Sequence, residues 1–141
     1  MLKKSITYVD YNGDSRTEDF YFNLSNAELI ELEAEYTGGF SEYLERLISD
    51  RDSKKIFEVI KNLVTRSYGE KSDDGRRFVK SKETAEAFAQ TEAYSVLLME
   101  LMSGEDAIVA FLTGLIPSEL RAKVVEDPKF KAEMKKLKAA E

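Results

Sequence analysis

The sequence predicts an α+β fold, a mostly α-helical single domain of about five to seven helices behind an N-terminal β-hairpin over roughly residues 4–22. Residues 4–11 (KSITYVDY) and 15–22 (SRTEDFYF) are rich in β-branched and aromatic side chains. Asn12-Gly13 between them is the dipeptide that tolerates the two positive φ angles of a type I′ turn. Ser25-Asn26-Ala27-Glu28 follows at once with capping-box spacing, in which Ser25 and Glu28 satisfy each other's free backbone donors. Leu24 and Leu29 flank that cap where a hydrophobic staple would form.

Helical periodicity follows the hairpin along most of the chain. The first, about Asn26 to Tyr36, carries Leu29, Leu32 and Tyr36 on one stripe, and Gly38-Gly39 supplies a left-handed end. The second runs from Phe40 to about Asp50 with Tyr43, Leu44, Leu47 and Ile48. The third, about Ser53 to Tyr68, has the cleanest pattern, with Ile56, Val59, Ile60, Leu63 and Val64 sharing a face. Residues 69–80 read as a polar loop turning at Asp74-Gly75, with a short second hairpin around Arg76 to Lys80 as the lesser alternative. Ser81 caps a long fourth helix, about Lys82 to Met102. Ser103-Gly104-Glu105-Asp106 restarts the chain, and a fifth helix runs to about Leu115 before Ile116-Pro117 breaks it. Asp127-Pro128 marks a further start. One domain over 1–120 is expected, followed by a lysine-rich helical or mobile tail over 121–141.

Composition excludes much chemistry. Among 141 residues there is no cysteine and no histidine, which removes disulfides, thiol nucleophiles, imidazole bases and the usual zinc ligands. Only an oxygen-ligand cation site is left. Asp10, Asn12, Asp14 and Glu18 superficially suggest a calcium loop, but Gly13 falls where a hairpin turn needs it, so a turn is expected and no metal or cofactor. The net charge of −6 argues against nucleic-acid binding. The N-terminal Met-Leu-Lys-Lys-Ser has no apolar run behind it, and no stretch approaches a membrane span. A cytosolic chain is expected.

Glu92 projects into a stripe of Ala85, Phe88, Ala89, Val96 and Met99. It reads as a helix-packing contact or, less readily, as a general acid or base; a hydrolase would pair it with Glu100 and magnesium. No histidine, serine elbow or phosphate loop completes such a mechanism, so no catalytic residue is assigned. Arg76-Arg77-Phe78 with Lys80 forms a small cationic patch, read as a solvated loop because Asp73-Asp74 adjoins it. The segment Ala93 to Met102 is apolar on nearly every side, so it is central or covered by another chain. Tyr94, Leu98, Leu101 and Met102 are the side expected to face a partner if it is an interface. On the hairpin, Ile6, Tyr8, Phe20 and Phe22 alternate to cover a helical layer. Val9, Tyr11 and Tyr21 are left on the opposite face, and the ribbon has free edges; both features point to association.

Three strings, TYVDYNGDSRTEDFYFNLSNAEL (7–29), YGEKSDDGRRFVKS (68–81) and AFAQTEAYSVLLMEL (87–101), resemble the tail assembly chaperones of long-tailed bacteriophages and prophages. The likeness covers most of residues 5–117. It implies a non-enzymatic protein of the host bacterial cytoplasm, absent from the finished virion. Such a protein keeps the tape measure protein soluble and helps the tail tube protein polymerise around it. It also implies self-association and a longer form made by ribosomal frameshifting, for which the codons of Lys135-Lys136 would suit. The competing reading is a small acidic regulator that inhibits a host factor, which predicts carboxylates gathered on one surface.

Overall fold

The computed structural model describes residues 1–115. The tail, the Asp127-Pro128 start and the lysines beyond them lie outside the described residues. Strands β1 (Leu2–Val9), β2 (Ser15–Phe22), β3 (Tyr68–Lys71) and β4 (Phe78–Val79) form one sheet in the order β1-β2-β3-β4. Helices α1 (Asn26–Ala34), α2 (Phe40–Ser49) and α3 (Ser53–Ser67) lie between β2 and β3. Helices α4 (Lys82–Ala89), α5 (Glu92–Leu101) and α6 (Glu105–Leu115) follow β4. The α+β class is the one the sequence predicts.

The first hairpin pairs antiparallel from Leu2↔Phe22 to Val9↔Ser15. Its turn differs from the type I′ expectation. Gly13 alone in the turn has positive φ, at 85°. Its N–H donates to the Asp10 carbonyl (3.0 Å), while the Asp10 N–H donates to the Asp14 carbonyl (2.9 Å). These bonds describe a three-residue loop with glycine at the left-handed position. Asp10 decides between the two geometries. Its Oδ1 accepts from the Asn12 and Asp14 N–H groups (2.9 and 3.0 Å), and its Oδ2 accepts from Arg16 Nε (2.6 Å). The acidic loop residue is thus consumed by the turn itself.

The capping box at Ser25/Glu28 is present, with Ser25 Oγ accepting from the Glu28 N–H and Glu28 Oε1 accepting from the Ser25 N–H. Lys80 locks this corner by donating to the Asn23 carbonyl (2.6 Å) and to Glu28 Oε2 (2.7 Å). The cationic patch read from the sequence is therefore split: Arg76 and Arg77 stay in an exposed turn while Lys80 reaches the start of α1. The polar loop also contains more structure than expected, since Glu70↔Val79 and Lys71↔Phe78 pair as a short hairpin. Gly69 is required there, because a Cβ would lie 2.6 Å from the Phe78 ring.

The core is a cluster of aromatics wrapped by leucines. Tyr68 and Phe88 stack at 4.3 Å, and Phe22 meets Tyr68, Phe88 and Phe111 edge-on at 5.7, 5.8 and 5.4 Å. Each such pair contributes roughly 0.5–1.5 kcal/mol beyond area burial. Ile56, Val59, Ile60, Leu63 and Val64 bury as the α3 periodicity predicts. Leu24 and Leu29, the staple pair, are both buried and line one small apolar cavity.

The long fourth helix is the main departure from the sequence reading. It is two helices, broken at Gln90-Thr91. Thr91 caps α5: its Oγ1 donates to the Phe88 carbonyl (2.7 Å) and accepts from the Tyr94 N–H (3.4 Å). A threonine hydroxyl in mid-sequence competes with the helix for those backbone groups. The break resets the helical phase, so an inward stripe read through from α4 fails beyond it.

Candidate partner-binding surface

Helix α5 runs antiparallel along β1. At its start Glu92 lies beside the Tyr11 hydroxyl at the hairpin tip, and at its end Glu100 Oε1 accepts from Lys4 Nζ (3.0 Å). Glu92 therefore sits in the first turn of α5, half-buried, and not in the middle of an apolar stripe. It faces Tyr11, whose phenol pKa is raised by that carboxylate. Among the described residues no group of three or more acidic side chains gathers as a metal site.

The reset phase inverts the two faces of α5. Ala93, Leu97, Leu98 and Leu101 point into the core, with Leu101 at 1% exposure. Leu98 and Leu101 are thus unavailable to a partner in this fold, contrary to the sequence expectation. The outward side carries Val96, Met99 and Met102, at three-residue spacing and exposed by 39%, 76% and 38%. Met102, which caps the C-terminal end of α5, is the one of the four expected partner-facing residues that is exposed on this side. Although Met99 and Met102 would equally suit an adaptable surface, the sequence pattern puts Val96 and Met99 on the inner stripe. The signal that would have found them is Thr91, read as a cap three residues before Tyr94.

The other candidates divide. Val9 and Tyr11 are exposed on the hairpin. Tyr21 is half-buried on the outer face of β2, where Lys71 Nζ lies 4.3 Å from its ring centre. That outer face is otherwise polar, with Thr7 and Thr17 hydroxyls bonded at 2.9 Å, so it is less aromatic than the sequence implied. Tyr94 is half-buried against Phe88 (5.7 Å), its pKa is raised by burial, and its hydroxyl has no hydrogen-bond partner among the described residues. Val9 and Tyr11 on the hairpin thus join Val96, Met99 and Met102 on α5 as exposed apolar side chains, on a chain of net charge −6.

Apolar side chains on an acidic exterior and a strand edge open among the described residues are features through which proteins associate. The chain belongs to the family described as phage tail assembly chaperone, whose model matches residues 1–141. No curated protein and no solved structure matches it. Among the described residues, no helix is long and apolar enough to cross a membrane.

Proposed function

We propose that this chain is a non-enzymatic chaperone that binds the tape measure protein, keeps it soluble and assists polymerisation of the tail tube protein around it. It acts in the host bacterial cytoplasm and does not enter the finished virion. Self-association and a frameshifted longer form accompany that role. The observation that carries the reading is the α5 stripe of Val96, Met99 and Met102, which leaves two adaptable methionines and a valine in water on a protein otherwise stabilised by a well-filled core. A client with long apolar helical faces would cover that stripe, and the surrounding carboxylates would keep the complex dispersed. Tyr11, beside Glu92 at the start of α5, extends that surface to the hairpin tip, while Val9 is exposed on the opposite face of the sheet.

The experiment is co-expression of the tagged chain with the phage tail genes, followed by capture and mass spectrometry. The reading expects tape measure protein in the captured complex. Capture of a host protein in its place would replace it with the host-factor inhibitor.

A further inference from the structure

β2 pairs with β1 along its whole length but with β3 only at Tyr21↔Gly69 and Phe22↔Tyr68. Beyond that point β3 turns away to pair with β4, leaving a cleft of about 380 Å³ beside β2. The direction of the free backbone groups is fixed by two bonds. The Asn23 N–H donates to the Ser67 carbonyl on the β3 side (2.8 Å), and the Asp14 carbonyl accepts from Asp10 on the β1 side (2.9 Å). Backbone groups alternate sides along a strand, so those of Asp19 and Thr17 continue the β3-facing row, with no strand beside them among the described residues. The cleft has an aromatic floor, Phe20 and Tyr68, and three carboxylates around it, Asp19, Glu70 and Glu18, of which Glu18 already meets the Tyr8 hydroxyl and Arg16. Lys71 also lines it but is already placed over the Tyr21 ring.

We propose that this edge accepts a short extended segment of a partner protein, lysine- or arginine-bearing and alternately apolar, as an added strand beside Thr17 and Asp19. Backbone bonds to the open edge would supply affinity. The carboxylates would select basic residues, and the Phe20/Tyr68 floor would take an apolar side chain. Charge argues against a second copy presenting the same edge, because antiparallel self-pairing would bring Glu18 and Asp19 against their own counterparts. The other outer strand, β1, has α5 along it and Lys4 committed to Glu100. The inference rests on the chaperone reading only in taking the partner to be a protein; the cleft itself is independent of the α5 stripe.

The test is titration of the full chain with a short capped peptide alternating lysine and valine, followed by amide NMR. The expected result is perturbation and exchange protection of the Thr17 and Asp19 amides, with a glutamate-for-lysine peptide inert. Asp19→Pro removes one edge donor without touching the β1 ladder and should weaken binding about tenfold. Asp19→Lys alone leaves the Tyr68–Glu70 contact in place, reverses one of the carboxylates and should weaken binding at least tenfold, which keeps the test valid if the proline variant does not fold. Perturbation along α5 instead, equal binding of the acidic peptide, or concentration-dependent pairing of the chain with itself at this edge would each overturn the proposal. Failure of the peptide to bind while the chain still captures tape measure protein would sink this site and leave the chaperone reading intact.

Discussion

Tyr68 links the aromatic core to the solution pH. It stacks on Phe88, its ring is buried, and its hydroxyl lies 3.4 Å from Glu70 Oε1. Burial first, then the Glu70 charge, pushes its pKa from 10.0 to about 12. A raised folded-state pKa means that the neutral phenol is the form the fold accepts. Its contribution is fully present below pH 10 and is lost as the pH climbs through about 12. Tyr68→Phe should therefore reduce the alkaline loss of stability, by an amount on the order of 2 kcal/mol, as read from urea unfolding at neutral and alkaline pH. Part of the loss should persist, since Tyr8, Tyr36 and Tyr94 are raised as well. Single residues of this kind were legible only in part. Phe20, Phe22, Ile6 and Tyr8 could be assigned to the inner face from alternation alone. The Tyr68–Phe88 stack could not, because it joins residues from a strand and a helix that periodicity treats separately.

At the scale of elements, Thr91 is the residue on which the reading of α5 turns. Local signals were reliable where they involve neighbouring residues: the Ser25/Glu28 box, the α3 stripe and the glycines after α1 all fall where expected. They failed where one short polar side chain outweighed a long apolar pattern. Gln90-Thr91 broke a helix that composition favoured, and Asp10 selected a three-residue turn where Asn12-Gly13 favoured two. Thr91→Ala should cost about 1 kcal/mol and lower the melting temperature by roughly 3–4 °C, measured by circular dichroism. The inverted faces of α5 make a sharper prediction. Leu101→Ala should destabilise by about 2–5 kcal/mol, whereas Met99→Ala, on the open side, should cost less than about 0.5 kcal/mol. Equal costs in chemical denaturation would mean that the orientation of α5 is wrong.

For the whole molecule, core and surface have separate duties. The aromatic nucleus and the inner leucines hold the hairpin against six helices among the described residues, so the exposed stripe is free to be changed without loss of the fold. The overall class was legible because it depends on strong local signals repeated along the chain. The binding surface was not, because which face of α5 reaches water depends on a helix break and on what α5 packs against. Fractionation of co-expressed tape measure protein tests the central claim most directly. Chains carrying Val96→Ser, Met99→Ser and Met102→Ser should fold with nearly unchanged stability yet leave the tape measure in the pellet, whereas the parent chain keeps it in the supernatant. If the folded triple variant solubilises the tape measure as well as the parent does, the α5 surface is not where the client is held.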